Sequence, residues 1–308
     1  MSSDTATASS ILISFCNPSM SDDEAHTGGL AKFNIEDRTL ERVKISFDVA
    51  MDAELSSLGL TRNATYIFNA YSDPATHGQT YVATLDARTL ELLHVTRTPP
   101  VQAVHSLVAT DTDLYIVSTW TDTIAHYRIN ADGSLEHVGL FWQASDTGKD
   151  THHVNAIAID PHGDVLCSAF GPKVEDQWTT ARTGYVYNIS QQRKVSTMDL
   201  KHPHSLVFHN GDTYLCESGT STLIRNYERF WQIEGFIRGL CFPRRNLAII
   251  GTNKLRARSK STGKPNELPK EERPMNSCGL IYLNMDSMAY EFHTLNAYNN
   301  EIYDLMVL

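Results

Sequence analysis

The chain has few cysteines, no long apolar run and no surplus of basic residues, and each shortage removes a class of protein. Its five cysteines are an odd number with no Cys-x-x-Cys spacing, so neither a disulfide framework nor a zinc knuckle is expected. Cys16, Cys167, Cys216 and Cys241 sit inside apolar runs and Cys278 borders a loop; free cysteines so placed act as small buried hydrophobes. No apolar stretch approaches the ~18 residues of a membrane-spanning helix. The opening MSSDTATASS carries no Lys or Arg, and the apolar stretch Ile11 to Phe15 is too short for a signal-peptide core. Residues 1–10 therefore read as a frayed tail on a cytoplasmic protein. The net charge of −10 lacks the basic face that nucleic-acid binding needs. Helical periodicity is sustained nowhere, which leaves strands.

What is present is repetition. Ile35 to Ile45 (IEDRTLERVKI) and Leu85 to Val95 (LDARTLELLHV) carry the same Asp and Arg-Thr-Leu-Glu turn chemistry between strands. Upstream of both, a loop begins Ser21-Asp22 or Ser72-Asp73 and ends at His26 or His77. Six first strands stack as SSLGL from Ser56, HSLVA from His105, VNAIA from Val154, HSLVF from His204, RGLCF from Arg238 and YDLMV from Tyr303. Six second strands read LISFCN, YIFNAY, YIVSTW, VLCSAF, YLCESG and AIIGTN. Blocks of this period mean a propeller or solenoid. The chain begins with a second strand (Ile11–Asn17) and ends with a first strand (Ile302–Leu308). The last strand can complete the first blade and remove an open edge. The expectation is an all-β, six-bladed β-propeller spanning 11–308, closed by its C-terminal strand, with long rim loops at 171–183 and 253–277.

In such a ring the starts of first strands and the ends of second strands converge on one mouth of the channel. At first-strand starts stand His105, His204, Arg238 and Tyr303. Two residues earlier come Glu54, His152, His202 and Glu301, and one residue later Ser106, Asn155, Ser205 and Asp304. Second strands end near Asn69, Ser168, Glu217 and Asn253, with Tyr71, Trp120 and Phe170 beyond. Polar groups and aromatics gathered at one opening describe a ligand pocket. Paired histidines in HPHSL (His202 to Leu206) and THHVNA (Thr151 to Ala156) suggest His152, His202 and His204 as ligands of one divalent metal, zinc or iron. Asn155, Asp304 and a Glu would suit calcium instead. Glu217 either pairs with an Arg or serves as a general base. Arg238 either pairs with a carboxylate or binds an anionic substrate. Tyr303 is a phenolic acid or a wall. The basic loop 253–277 is a lid or a solvated segment.

The blocks His152 to Gly171, His202 to Gly219 and Gly235 to Phe242 resemble an uncharacterised family of propeller-like domains of unknown function. More distantly the chain is similar to the regucalcin, gluconolactonase and paraoxonase propellers. That resemblance implies a divalent cation on the channel axis, with Glu54 or Glu301, Asn155 and Asp304 at comparable positions. The functional expectation is an enzyme working at the loop-rich mouth on a small polar or anionic molecule. Its mechanism would be acid–base chemistry of a hydrolase, lactonase or lyase kind. Glu217, His204, Arg238 and Tyr303 would be catalytic, and His105, Asn155, Trp120, Phe170, Asn69 and Asp304 would bind substrate. The rivals are a non-catalytic scaffold that binds protein through a propeller face and a His-ligated metal-dependent oxygenase.

Overall fold

Each block of the repeat forms one four-stranded antiparallel sheet, and there are six of them. The computed structural model describes residues 8–16, 29–45, 55–73, 79–175, 177–257 and 273–308. Glu54, His26, His77, most of the tail 1–10 and most of the loop 253–277 lie outside the described residues. The first blade orders its strands β24 (Ile302–Val307), β1 (Ser10–Phe15), β2 (Leu30–Asn34) and β3 (Leu40–Val43). The two chain ends thus share a sheet, with Ile11 opposite Val307 and Ile13 opposite Leu305. The other blades cover 56–102, 104–143, 154–194, 203–232 and 236–294, each running from its innermost strand outward. The structure is therefore the expected six-bladed propeller closed by its last strand.

The innermost strands are β4 (Ser56–Arg62), β8 (Val104–Ala109), β12 (Val154–Ile159), β16 (Pro203–His209), β20 (Phe236–Arg244) and β24. All six share one irregularity, a β-bulge just after the strand begins. In β8, Val104 lies opposite Ser118 and Leu107 opposite Ile116, so three steps on one strand match two on the other. A bulge re-aims side chains and frees backbone groups. The side chains so re-aimed occupy one register: Leu58, His105, Asn155, His204, Arg238 and Tyr303. Five of these, all but Leu58, line a central cavity of about 290 Å³.

The freed backbone groups are not left bare, as buried polar groups must not be. Ser106 Oγ accepts the Ile157 amide at 3.3 Å, Ser205 Oγ the Gly239 amide at 2.9 Å, and Asp304 Oδ2 the Leu60 amide at 3.0 Å. Each of these bonds crosses from one blade to another. A second set clamps the carbonyl preceding the ring residue: Thr119 Oγ1 donates to Val154 O, Ser168 Oγ to Pro203 O and Ser218 Oγ to Ile237 O. Apolar clusters fill the wedges between sheets, such as Ile116, Tyr127 and Phe68 between the second and third blades. Packing alone would allow the sheets to slide; these bonds hold the ring residues in register.

Candidate active site at the channel mouth

The mouth is built by backbone strain as much as by side chains. Ala103, His153 and His202 each stand two residues before a ring position, and all three lie in the left-handed region at φ 50°, 54° and 53°. Such a conformation costs about 1–3 kcal/mol for a non-glycine residue. The turned carbonyls of Ala103 and His202 meet Nδ1 of His105 and His204, each at 2.9 Å. Ser218 Oγ gives its proton to Ile237 O at 2.5 Å and so accepts from His204 Nδ1 at 2.7 Å. That network puts the His204 proton on Nδ1 and leaves Nε2 as an acceptor on the channel side. Burial, with Arg238 nearby, holds His204 well below the usual imidazole range.

His153 is the central group of the rim. Its Nδ1 lies 3.0 Å from Asp150 Oδ2, and its ring meets His105 edge-on at 5.0 Å between centroids. Burial drives both partners toward neutrality. His153 falls to about 3, with the Asp122 charge working against that fall and Arg238 adding to it. Asp150 rises to about 7, against the pull of Lys173 and the Trp178 side chain. An imidazole oriented by a carboxyl is the arrangement general base catalysis needs.

A wall of rings encloses these groups. Phe170 packs against His153 at 4.4 Å, His202 at 4.7 Å and His204 at 5.2 Å. Trp178, from a short 3-10 turn at Trp178–Thr180 in the loop 171–183, lies 4.5 Å from His153 and carries Lys173 over its face at 5.0 Å. The Trp178 carbonyl bonds His202 Nε2 at 2.9 Å. That loop leaves its strand at Gly171, φ +77°, where a Cβ would meet Thr183 O at 2.6 Å; only glycine lets it fold back over the rim. On the far side of the channel the Arg238 guanidinium stacks on Tyr303, 3.5 Å above the ring centre. The Tyr303 hydroxyl donates to Val104 O at 3.3 Å, and burial raises its pKa far above the usual phenol.

Among the residues singled out from sequence, the structure brings His105, Asn155, His204, Arg238 and Tyr303 into one ring, with Phe170 and His202 above it. It takes others elsewhere. Glu217 is fully buried beside the channel: Lys201 N donates to it at 2.7 Å, the Thr220 hydroxyl bonds it, and Arg229 lies at 3.7 Å. It ties the start of its own blade, with both oxygens engaged there. Asn69 is likewise committed, accepting from Ser57 Oγ at 2.8 Å and donating to Gly59 O at 3.1 Å to stabilise a bulge. Trp120 stands 45% exposed in the turn after β9 (Asp113–Ser118) and does not line the cavity. Asp304 lines the cavity, yet both its oxygens accept backbone amides, from Leu60 and Leu305.

The metal sets expected from sequence do not come together. His152 lies one residue out of register and faces Tyr185, whose hydroxyl is 3.2 Å from its Nδ1. Among the described residues no three His, Cys, Asp or Glu side chains are grouped to hold a metal ion. Of the calcium set, Arg256 grips Glu301 with bonds of 2.5 and 2.6 Å, Asp304 accepts backbone amides on both oxygens, and Glu54 lies outside the described residues. Asn155 shares its layer with the Arg238 guanidinium, and a hard divalent cation does not suit that neighbour.

Sequence reasoning passed over His153, Asp150 and Trp178. The signal was present in Thr151-His152-His153, but period-two counting chose the wrong histidine. Taking Val154 as the ring position sets this block one residue out of step; the pairing of Val154 with Ala169 puts Asn155 in the ring, with His153 two residues before it.

Fold and mouth together define a six-bladed β-propeller with a polar, ring-lined channel site. The chain belongs to the family described as domain of unknown function DUF4915, which matches residues 34–308. Solved structures share the architecture. A candidate 6-phosphogluconolactonase from Bacteroides uniformis is similar at TM-score 0.60 and 12% identity, over 98% of this chain and 100% of that one. The periplasmic gluconolactonase of Pseudomonas aeruginosa is similar at 0.56 and 10%, over 97% and 99%. A chain of the nidogen–laminin complex is similar at 0.57 and 10%, over 96% and 97%. At these identities the likeness is one of fold. No curated protein matches the chain.

Proposed function

We propose that the protein is a hydrolase of small polar or anionic molecules, of the lactone-opening kind, working at the Trp178-covered mouth of the channel. The observation that carries the reading is the half-buried Asp150–His153 pair beside His105 at the rim. When Asp150 is protonated its hydroxyl donates to Nδ1, the imidazole proton stays on Nε2, and no base is present. When Asp150 ionises it accepts from Nδ1–H, and Nε2 becomes the base that takes a proton from water as the water attacks the carbonyl carbon. The ring C–O bond then breaks, and the proton passes from Nε2 to the leaving oxygen, giving a hydroxy acid. The aromatic wall keeps the site dry, and Arg238 supplies the positive charge that draws an anionic molecule inward. Gluconolactonases among the proteins of similar fold agree with this reading. A small-molecule partner belongs to the same proposal.

The test is ring opening of a panel of γ- and δ-lactones followed by acid release. The expected rate rises with pH through about 7, the value to which Asp150 is pushed. His153→Ala lowers kcat/KM by roughly 10²–10⁴-fold, while His209→Ala at the opposite channel end leaves it unchanged. Wild-type rates in His153→Ala, or no turnover of any panel member, would sink the reading.

A further inference from the structure

One buried donor in the ring has no use in the hydrolytic step. Asn155 is 3% exposed, lines the channel, and its Nδ2 has no hydrogen-bond partner. A buried amide donor left unmade costs about 1–3 kcal/mol, and among the atoms of the described residues without a partner, Asn155 Nδ2 belongs to the one residue that lines the channel cavity. In the same layer, Arg238 presents one face to Tyr303, which leaves the N–H edge of the guanidinium for in-plane bonds. Among the described residues Arg238 forms no ion pair. Asp304, the carboxyl that feels it, has both oxygens on backbone amides. The layer therefore holds one cation and one idle amide donor, together with an imidazole acceptor at His204 Nε2.

We propose that the ring formed by Arg238, Asn155 and His204 binds the carboxylate and a hydroxyl of a small monoanionic hydroxycarboxylic acid, and discriminates against phosphate. A carboxylate offers two oxygens in a plane, one for the guanidinium fork and one for Asn155 Nδ2, and its single charge equals the single charge of Arg238. A phosphate dianion would bring a second charge into a buried layer whose histidines are kept neutral, and an uncompensated buried charge is costly. His204 Nε2 accepts, so it selects a hydroxyl beside the carboxylate rather than a second anionic oxygen. The rim base His153 stands two residues before Asn155 in the chain, at the strained turn that leads into the strand. The acid group and the reacting carbonyl thus lie several bonds apart on one molecule. This deepens the hydrolase reading and rests on it for the reacting end only; carboxylate binding stands on the ring alone.

The experiment is calorimetric titration of the full chain with four probes: 4-hydroxybutyrate, gluconate, 4-hydroxybutyramide and inorganic phosphate. At least one carboxylate is expected to bind roughly tenfold or more tightly than the amide and than phosphate. Arg238→Gln brings the carboxylate-to-amide ratio close to one. Asn155→Ala removes a donor that has no partner in the free protein, so it folds as the wild type does, and it weakens the carboxylate about tenfold. Equal binding of carboxylate and amide, tighter binding of phosphate, no binding of either carboxylate at about 10 mM, or an unchanged preference in both variants would each overturn the proposal. His153→Ala separates the two readings: it keeps carboxylate binding while hydrolysis is lost. Carboxylate binding by a wild-type protein that opens no lactone would leave this inference standing and remove the hydrolase.

Discussion

The two ends of the propeller channel carry similar residue types and treat them in opposite ways. At the far end a surface hollow of about 670 Å³ is lined by His209, Asn210, Asp212, Tyr214, Arg225, Arg245, Asn246, Met285 and Asp286. There several polar groups are paired: Arg225 grips Asp212 at 2.5 Å, Asn226 bonds the same carboxylate, Asn246 bonds Asp286, and His209 and Asn210 both bond Arg245 O. Hydrogen bonds from Asn226 and Arg225 hold Asp212 below the usual carboxylate range. At the mouth, burial instead lifts Asp150 to about 7 and lowers His153 to about 3, and Asn155 Nδ2 is unpartnered. The hollow is larger than the channel cavity, so size does not mark the site. Polar groups kept dry and incompletely satisfied do.

The bluntest way to break the comparison is to open the ring, which should abolish both ends together. Removing residues 302–308 takes away the innermost strand of the first blade, including buried Ile302, Tyr303 and Leu305. The lost burial is on the order of 5–10 kcal/mol, comparable with the whole stability of a domain. Loss of a cooperative thermal transition is expected; a truncated chain that melts like the full one would mean that the last strand does not close the ring.

The next largest effect separates the ends by the sign of their pH dependence. Asp150 has a raised pKa in the folded state, so its contribution favours folding at low pH and is lost as pH climbs from about 4 toward 7. Asp150→Asn removes that loss. Relative to the wild type it should therefore gain roughly 2–3 kcal/mol between pH 5 and pH 8, at about 1.4 kcal/mol per unit, measured by urea denaturation at both values. Asp212 is depressed, so Asp212→Asn should move the opposite way: its cost is present at neutral pH and disappears as pH falls through the folded pKa. Two substitutions with the same sign of pH dependence would erase the distinction between the ends.

The smallest comparison sets one buried carboxylate against one exposed cation. Glu217→Gln should cost about 1–3 kcal/mol, because Lys201 N, Thr220 and Arg229 all address a fully buried carboxylate. Arg225→Ala, with a side chain 42% exposed, should cost less than about 1 kcal/mol. Chemical denaturation of both decides, and a neutral Glu217→Gln would return that residue to the list of functional candidates.

Much of this could be read along the chain, and the failures have one origin. The repeat placed His105, His204, Arg238 and Tyr303 in a shared register because strand pattern and turn chemistry are local. It misplaced Asn155 and chose His152 over His153 because this block alone was set one residue out of step, with Val154 where the ring residue is Asn155. Glu217 and Asn69 looked functional because they are polar residues at strand ends. Their partners Lys201 and Gly59 lie sixteen and ten residues away, and nothing in the local pattern announces such bonds. Asp150 and Trp178 sit in loops, where no periodicity marks a residue at all.

The amino-acid sequence by itself determined the blade, the number of blades and the closure of the ring, since these follow from alternation, turn residues and the order of strands at the two ends. Tertiary structure decided which polar groups are satisfied. A carboxylate or imidazole acquires its charge state from burial and from neighbours on other blades, and those exist only once six sheets surround one channel.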